Sequence, residues 1–464
     1  MTGHRFHPEI LREYDIRGQV GPQLGVDDAF ALGRGFATVL REDGGDCVAV
    51  GRDGRLTSPE LEAALVAGLM AGGADVIRIG LGPTPMLYFA EATLEQAQGG
   101  IQVTGSHNPA DHNGFKIVFR GRPFCGDELR ILGQRALTGD WSTGAGTCQD
   151  LEVLPAYVDR MVCALAGLDQ AKLEALRIGW DAGNGAAGPA LERLIARLPG
   201  QHIALFTHVD GTFPHHHPDP TVEANLADLK VLVAAKSLDF GVALDGDGDR
   251  IVVIDARGRV LFGDQLLMIL AEDLLLRAPG STVIGDVKAS QTLFDQIAKL
   301  GGRAVMGKTG HSLIKSEMKR IGALIGGEMT GHLMFADDWY GFDDALYAAL
   351  RLIAATIRLD KSITRLRDDM PELVNTPELR FQVEEARKFG VVEEVAVRLA
   401  AAGANIVTID GVRVTTPDGW WLVRASNTQD VLVLRAESVT TEGLDRLLAA
   451  ADAQLAQSGV KRAA

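Results

Sequence analysis

The sequence predicts an α/β protein of four domains: three related α/β domains with mixed, mostly parallel sheets and a C-terminal α+β domain. Three observations support this prediction. The chain has 464 residues, which is too long for one hydrophobic core. Short apolar runs alternate with helical stretches in a pattern that starts again twice, and such alternation is typical of parallel sheets. The last segment instead carries closely spaced strand-like runs between two helical stretches.

Residues 1–150 form the first predicted domain. Its first helix is indicated by Ser58, a favourable N-terminal cap, and by Glu60 in the first turn. The glycine-rich residues 138–147 are predicted to be a surface loop or linker. The predicted elements, in a βαβαβ order that indicates a mostly parallel sheet, are strands at residues 47–50, 75–79 and 101–103 and helices at residues 58–70 and from 85 to about 94.

Residues 151–255 and 256–370 form the second and third predicted domains, and residues 371–464 form the fourth. The second and third domains are predicted to contain strands at 176–180, 203–206, 240–244, 251–254 and 282–284 and helices at 189–198, at 261–276 and from 291. The fourth is predicted to contain helices at 392–402 and 441–455 and strands at 406–409, 412–415, 420–423 and 431–435.

Composition and charge exclude several classes of protein. The net charge of −15 argues against a nucleic-acid partner, because binding to a phosphate backbone needs a cationic surface. The four cysteines lie far apart without a C-x-x-C pair, so free thiols are expected. No apolar run approaches 18 residues, and residues 1–10 carry His and Glu where a signal peptide needs an apolar core. The chain is therefore expected in the cytoplasm, without a membrane partner.

The run Asp245-Gly-Asp-Gly-Asp-Arg250 lies between two predicted strands. Its glycines allow Asp245, Asp247 and Asp249 to converge, and oxygen-only ligands favour Mg²⁺. A calcium-binding loop would need Glu at its twelfth position, where this chain has Ala256. The alternative is a polar turn that binds no metal.

Ser106 lies in the run Thr-Gly-Ser-His-Asn-Pro at the end of a predicted strand. The turn residues around it should expose its hydroxyl, so Ser106 is a candidate phosphate carrier, and the alternative is a structural turn residue. A phosphoserine beside three carboxylates would need a cation and an arginine such as Arg250. His107 is its neighbour in sequence, so the two side chains are expected to diverge and a Ser/His hydrolase pair is not favoured.

Two other motifs offer rival interpretations. Residues 183–188 form a G-x-G-x-x-G run between a strand and a helix, with Asp210 further along, which is the pattern of a dinucleotide-binding dehydrogenase. The alternative is a tight strand-to-helix turn. The run His215-His216-His217 could bind metal, but a hydrogen-bonded loop is the more ordinary reading.

Several motifs in this order along the chain resemble the α-D-phosphohexomutase family, in its bacterial phosphomannomutase/phosphoglucomutase branch. They are Tyr14-Asp-Ile-Arg-Gly18, Thr104-Gly-Ser-His-Asn-Pro109, Asn113-Gly-Phe-Lys116, Asp245-Gly-Asp-Gly-Asp-Arg250, Lys308-Thr-Gly-His311, Gly327-Glu-Met-Thr-Gly-His332, Trp339-Tyr-Gly-Phe-Asp-Asp344 and Arg424-Ala-Ser-Asn-Thr428.

The resemblance implies four domains around one deep cleft and a mutase, an intramolecular phosphotransferase. Such an enzyme moves phosphate reversibly between C1 and C6 of mannose or glucose phosphate through a phosphoserine and a hexose 1,6-bisphosphate intermediate. It implies one Mg²⁺ per chain, glucose 1,6-bisphosphate as activator, and a monomer or homodimer. Phosphoglucosamine mutase is the alternative within the family, while a dehydrogenase and a non-catalytic sugar-phosphate sensor are alternatives from other classes.

The resemblance also implies roles for individual residues. Ser106 carries the phosphate and shares Mg²⁺ with Asp245, Asp247 and Asp249. The reacting centre is lined by Arg17, Lys116 and Arg250, and the candidate general acids or bases are Lys116, His311 and His332. Substrate-binding roles fall on Tyr14, Lys288, Thr309, Gly310, Glu328, Thr330, Arg424, Ser426, Asn427 and Thr428.

The chain departs from the family pattern in two places. Thr330 stands where serine is common, and Gln429-Asp430 replaces the usual Glu-Pro, which puts the rigidity of that loop in doubt. Met329 favours the mannose/glucose branch over the glucosamine branch.

Overall fold

Four β-sheets organise the part of the chain that the computed structural model describes, residues 3–427 and 429–461. Three sheets are mixed and flanked by helices, and the fourth is antiparallel. The predicted fold class, three α/β domains followed by an α+β domain, is confirmed. No helix in these residues combines the length and apolarity that crossing a membrane requires.

The first sheet contains the strand that leads to Ser106. Its strands are β1 Ile16–Gln19, β2 Cys47–Arg52, β3 Asp75–Leu81, β4 Gly99–Val103, β5 His112–Phe119, β6 Arg122–Pro123 and β7 Cys148–Asp150, and its helices are α1 Val26–Glu42, α2 Ser58–Ala71, α3 Thr84–Thr93 and α4 Asp127–Thr138. The strand order is β1-β5-β4-β2-β3-β7, with β6 beside β5. Strands β4, β2, β3 and β7 are parallel, so β2 and β4 end at the same edge.

The second sheet carries the aspartate run. Its strands are β8 Arg177–Asp181, β9 Gln201–Leu205, β10 Phe240–Leu244, β11 Ile251–Asp255 and β12 Val260–Leu261, and its helices are α5 Leu154–Val162, α6 Gln170–Ala175, α7 Gly188–Ile195 and α8 Ala227–Lys236, with short 3₁₀ turns at Cys163–Leu165 and Glu223–Leu226. Strands β10 and β11 pair antiparallel from Phe240 opposite Asp255 to Leu244 opposite Ile251. The aspartate run is therefore the tip of a hairpin.

The third sheet has the order β14-β13-β15-β16. Its elements are α9 Gly263–Arg277, β13 Thr282–Asp286, α10 Gln291–Lys299, β14 Arg303–Gly307, α11 His311–Ile321, β15 Ile325–Gly327, β16 Leu333–Phe335, α12 Ala345–Leu359 and α13 Ile363–Asp368. The turn between β15 and β16 holds Glu328 and Thr330, and the turn between β14 and α11 holds Thr309 and Gly310.

The fourth sheet has the order β17-β22-β21-β20-β19, with β18 also beside β22. Its elements are β17 Val374–Asn375, β18 Leu379–Gln382, α14 Glu385–Ala401, β19 Ile406–Val407, β20 Val412–Thr416, β21 Gly419–Ala425, β22 Val431–Ser438 and α15 Thr441–Gln457. The turn from β21 to β22 carries Ser426 and Asn427.

Hydrophobic packing separates the fourth domain from the other three. One continuous core joins the first three domains, and Phe89, Tyr157 and Trp339 meet within it, with ring centroids 5.6–6.3 Å apart. The fourth domain has its own core between its sheet and α14 and α15. A small apolar group that includes Val287 and Trp420 joins it to the third domain.

Most predicted elements occur close to their expected positions, with differences at their ends. The helix predicted at 392–402 begins earlier, at Glu385, and the strand predicted at 406–409 is only Ile406–Val407. The helices that were not predicted are α1, α4, α5, α6, α8, α11, α12 and α13. In α12 every residue from Ala345 to Thr356 is buried, so burial does not distinguish one face of this helix from the other, as it does in a surface helix.

Candidate active site

The aspartate loop at the β10–β11 hairpin brings three buried carboxylates together. Ligand atoms of Asp245, Asp247 and Asp249 all lie within 4.8 Å of one another, and all three residues are fully buried. A Cβ on Gly246 would come within 2.4 Å of the Ser106 carbonyl oxygen, so only glycine allows this loop to pack against the serine loop. The hairpin tip and Ser106 are thus neighbours because of backbone fit.

The carboxylate oxygens of this loop fit a divalent cation. Asp247 Oδ1 and Asp249 Oδ1 are buried, and within the described residues neither has a hydrogen-bond partner. Burial and the two neighbouring carboxylates raise the pKa of Asp245 far above its ordinary value, which shows how strongly the three charges conflict. Orphaned buried oxygens are rare in native proteins, and a hard cation resolves both the vacant acceptors and the repulsion.

Lys116 compensates part of this charge from the opposite side. Its ammonium lies 2.8 Å from Asp247 Oδ2 and also contacts Asp249 Oδ2, so it uses the oxygens that are not orphaned. Burial by itself would lower the pKa of Lys116, but the charges of Asp247 and Asp249 outweigh burial and raise it above its ordinary value. Lys116 therefore stays protonated beside the reacting centre.

Ser106 follows β4 and points at the aspartate loop. Its hydroxyl donates to Asp245 Oδ2 at 3.1 Å, and its backbone has a φ of +49°, a conformation that costs energy for a residue other than glycine. The expectation that His107 diverges from it is wrong: His107 Nδ1 lies 3.2 Å from Ser106 Oγ. The left-handed backbone at Ser106 turns both side chains to one side, and burial lowers the pKa of His107, which keeps it neutral.

A buried ion pair supports the serine loop from below. Arg55 donates to the carbonyl oxygens of Ser106, Asn108, Pro109 and His112 at 2.5–2.9 Å. Its partner Asp53 accepts from the Thr104 hydroxyl at 2.8 Å and from the Gly105 amide at 3.1 Å. The loop lacks strand partners for these groups, so Asp53 and Arg55 satisfy its backbone.

Arg250 is oriented by a histidine and a carboxylate. Its Nε donates to His332 Nε2 at 2.8 Å, and His332 Nδ1 lies 2.7 Å from Asp343 Oδ2. Because Nε2 accepts a hydrogen bond, the proton of a neutral His332 must be on Nδ1, where Asp343 accepts it. Asp343 also accepts a hydrogen bond from Lys315 at 2.8 Å. The ring of His311 stacks on that of His332, and His311 Nδ1 lies 3.4 Å from Asp343.

Sugar-binding candidates from the third domain line the same space. Glu328 is buried and accepts from the Gly310 amide at 2.8 Å, which fixes the carboxylate in place. Tyr14 of the first domain donates to the Thr309 carbonyl oxygen at 2.9 Å. Thr330 lies beside them in the lining of the cleft.

Cationic groups of the third and fourth domains are each paired with an acid. Arg424 Nε donates to Asp410 at 3.0 Å, and Lys288 donates to Glu378 at 3.0 Å. Asn427 donates to the Tyr14 hydroxyl at 2.5 Å, which connects the first and fourth domains. Ser426 Oγ accepts from the backbone amide of Gln429 at 3.2 Å, a bond that does not depend on the side chain at position 429. Thr428 lies outside the described residues.

One cleft of about 240 Å³ gathers residues from all four domains. Its lining includes twelve of the candidate site residues: Tyr14, Arg17, Ser106, Lys116, Arg250, Lys288, Thr309, Gly310, His311, Glu328, Thr330 and His332. The three aspartates lie behind Ser106 and Lys116, and Arg424 lies near Tyr14. Arg17 and Asp15, both in the lining of this cleft, form an ion pair at 2.5 Å.

Comparison with known proteins agrees with this arrangement. Models of the four phosphoglucomutase/phosphomannomutase domains match the chain: alpha/beta/alpha domain I at residues 8–139, domain II at 155–258, domain III at 262–374 and the C-terminal domain at 378–454.

The chain belongs to the phosphoglucomutase/phosphomannomutase family. It is 43% identical over 438 residues to the phosphomannomutase/phosphoglucomutase of Pseudomonas aeruginosa, and the matched region covers 94% of this chain and 93% of that protein. It is 41% identical over 445 residues to the phosphoglucomutase of Neisseria gonorrhoeae, covering 95% of each. An X-ray structure of a family protein from Burkholderia thailandensis superimposes with a TM-score of 0.91 at 40% identity, covering 98% of both chains. The chain is thus a mutase, an intramolecular phosphotransferase.

The rival motifs have structural roles in this phosphoglucomutase/phosphomannomutase family member. In the G-x-G-x-x-G run, the Ala186 amide donates to the Gly246 carbonyl oxygen at 2.9 Å, and a Cβ on Gly185 would lie 2.7 Å from that oxygen. The run supports the aspartate loop where a dinucleotide would need open space. His215 and His216 contact Asn184 and Asp181, as expected of a hydrogen-bonded loop.

Sequence reasoning missed several residues of the family member's site. Asp53 had a usable signal, since it follows β2, whose end lies beside the end of β4, with the Asp53 amide donating to Val103. Asp343 belongs to the motif at residues 339–344, but no role was predicted for it. The missed residues are Asp53, Arg55, Lys315, Asp343, Glu378 and Asp410.

Proposed function

We propose that this chain interconverts the 1- and 6-phosphates of glucose and mannose, with Ser106 as the carrier of the phosphoryl group. One observation supports the proposal most: the Ser106 hydroxyl lies against the buried aspartate loop in a cleft that also contains Lys288, a separate cationic group. A nucleophile and a second anion site in one cleft suit a substrate that carries one phosphate and receives another.

The reaction we propose consists of two opposite transfers. In the first, the bond from phosphorus to Ser106 Oγ breaks and a bond to a hydroxyl oxygen of the hexose phosphate forms. That hydroxyl loses its proton to a base, and Ser106 Oγ gains a proton. The hexose 1,6-bisphosphate then turns end for end, and the same changes in reverse return the phosphate from the other position to Ser106.

Side chains of this chain supply charge and position. Asp245, Asp247, Asp249 and Ser106 would hold one Mg²⁺, which, when bound, offsets negative charge on the transferring group. Arg17, Arg250 and Lys116 surround the same centre with donors, and Lys116 suits this role because it stays protonated. Added glucose 1,6-bisphosphate would prime Ser106.

His332 is the general base that we propose. Its Nδ1 proton is held by Asp343, so its Nε2 lone pair faces Arg250 and the cleft. When Arg250 turns to a phosphate oxygen, Nε2 becomes free to accept the proton of a sugar hydroxyl. Among the described residues, His311 has no equivalent Nε2 contact to a catalytic arginine, and its Nδ1 lies 3.4 Å from Asp343, which suits a supporting role.

We expect His332→Ala to lower kcat by about 10²–10⁴, because general base catalysis typically contributes this factor. Asp343→Asn should lower kcat by about tenfold through loss of the fixed tautomer. Steady-state kinetics with glucose 1-phosphate measures both, with Asp338→Asn, an exposed carboxylate on the neighbouring segment, as control. If His311→Ala reduces kcat as much as His332→Ala does, the assignment of the base is wrong.

Arg424 is proposed to bind the phosphate that does not react, together with Ser426, Asn427 and Thr428. Arg424→Ala should raise KM by about 100-fold with a smaller change in kcat, because a buried charged contact is lost and Asp410 is left unpaired. The double variant Arg424→Ala/Asp410→Ala should recover part of the loss. Arg446→Ala, which removes an exposed ion pair, is the control; a KM within threefold of wild type for Arg424→Ala would contradict the role.

Conversion of glucose 1-phosphate and mannose 1-phosphate, with Mg²⁺ and a trace of glucose 1,6-bisphosphate, tests the function. Turnover of either sugar supports the proposal. Turnover only of glucosamine 1-phosphate would identify the glucosamine mutase, and binding without turnover would identify a sensor. The cytoplasmic location and the monomeric or homodimeric state stay predictions.

A further inference from the structure

The sheet of the fourth domain buries both of its faces, and one of them is charged. Side chains alternate between faces along a strand, so the row Arg413, Leu422 and Arg435, in register across β20, β21 and β22, lies on one side. Trp420 and Glu437, also paired, lie on the same side. None of these five residues is more than 6% exposed, although strand arginines and glutamates normally face water.

The two arginines of this face hold three successive carbonyl groups of the third domain. Arg413 Nη1 donates to Val287 O at 2.6 Å and to Ala289 O at 2.8 Å. Arg435 Nη1 donates to Lys288 O. These carbonyls follow β13 at a turn, where the described part of the chain gives them no strand partner, and a planar guanidinium can bind two of them at once. The Arg413 guanidinium also lies 3.7 Å from the centre of the Trp420 ring.

Glu437 holds the residues that come next. Its Oε1 accepts from the Ser290 hydroxyl at 2.9 Å, the Gln291 amide at 3.2 Å and Trp420 Nε1 at 2.7 Å. Ser290 is the cap of α10, so a carboxylate of the fourth domain reinforces the start of a helix of the third. Residues 287–291 are therefore bound to the fourth domain along their whole length.

Lys288 lies in the middle of this segment and points the other way. With its carbonyl oxygen on Arg435, its ammonium reaches the catalytic cleft, where Glu378 of the fourth domain pairs with it at 3.0 Å. The guanidinium of Arg413 is held where burial disfavours a charge, since burial lowers the pKa of Arg413 to about 10. An apolar side chain would fill the space but could not bind the carbonyls.

We propose that Arg413 and Arg435 are positioning residues. From the fourth domain they fix the position of Lys288, which belongs to the third domain. The proposal rests on the proposed function, in which Lys288 binds a substrate phosphate. The segment 287–291 is then held by both domains, since the Ser290 amide also donates to Asp264 of the third domain at 2.9 Å. Binding of phosphate by Lys288 therefore depends on the contact between the third and fourth domains.

A double-mutant cycle between Arg413 and Lys288 tests this role. Arg413→Met should raise the KM for glucose 1-phosphate by about tenfold, with kcat within twofold, since a positioning residue acts on binding through Lys288. In the Lys288→Met background the same substitution should change KM by less than twofold. Arg413→Lys, which keeps the charge, should restore part of the affinity. Arg398→Met, which removes another arginine contact within the fourth domain, is the matched control and should leave KM unchanged.

Circular dichroism and thermal unfolding show whether each variant folds. If Arg413→Met does not fold, Arg413→Lys and Arg435→Lys, measured by calorimetric titration with glucose 1-phosphate, should each weaken binding by about threefold and only when Lys288 is present. An equal loss with and without Lys288, or no loss, would overturn the proposal. A wild-type chain that turns over neither sugar 1-phosphate would instead overturn the proposed function.

Discussion

Ser106→Ala is expected to abolish turnover, with a loss of four orders of magnitude or more in kcat, roughly the cost of removing a covalent nucleophile. The hydroxyl donates to Asp245 and lies 3.2 Å from His107 Nδ1, and its loss removes a single oxygen atom, so the substitution removes little packing. Serine already bears the strain of the left-handed φ at this position, so alanine there should change the stability by only a few tenths of a kcal/mol, roughly the scatter of ordinary substitutions. A coupled assay with both sugar 1-phosphates, and mass spectrometry of the primed protein, measure the effect.

Ser142→Ala provides the matched control for this substitution. Its hydroxyl donates to Gly72 at 2.6 Å outside the cleft, so loss of it should leave kcat unchanged. Wild type and the control should acquire one phosphate from glucose 1,6-bisphosphate, and Ser106→Ala should acquire none. More than a thousandth of wild-type activity in purified Ser106→Ala would show that another group carries the phosphate.

Removal of divalent cations with a chelator is expected to stop turnover almost completely, and added Mg²⁺ should restore it. The two orphaned oxygens of Asp247 and Asp249 offer ligands, and three buried carboxylates would otherwise repel the phosphate of Ser106. Asp249→Asn should raise the Mg²⁺ concentration for half activity by about 100-fold, because a neutral amide replaces a charged ligand.

Titration of activity with Mg²⁺ measures this effect. Asp368→Asn is the control and should leave the titration unchanged. It removes a carboxylate on α13 that pairs with Arg257 and Arg259. Full activity in a chelated sample that contains no residual metal would exclude the cation from the reaction.

Local sequence signals predicted the parts of the site that depend on neighbouring residues. The aspartate run was placed correctly between two strands because its glycines and flanking apolar runs are contiguous. Ser106 was placed correctly at the end of a strand for the same reason. Motifs from distant parts of the chain could be joined only by resemblance to the family, since periodicity carries no information about which loops meet.

Residues that act between domains were beyond this reasoning. Arg413, Arg435 and Glu437 alternate with apolar residues, a pattern that indicates a solvent-facing edge, and only the packing of two domains shows that they are buried. The contact of Ser106 with His107 depended on one positive φ angle, which residue type does not reveal. Asp343 was visible in a motif, but its role required the positions of His332, His311 and Lys315.

The hydrophobic core shared by the first three domains bears on the order in which the chain assembles as it leaves the ribosome. The first sheet can cover one face with α1, α2 and α4 as soon as it has been synthesised. Its other face is covered by α3, whose Phe89 packs on Tyr157 and on Trp339, and Trp339 emerges much later. The outer side of α3 therefore stays exposed to water, or to a chaperone, until the third domain is complete, whereas the fourth domain closes a core of its own.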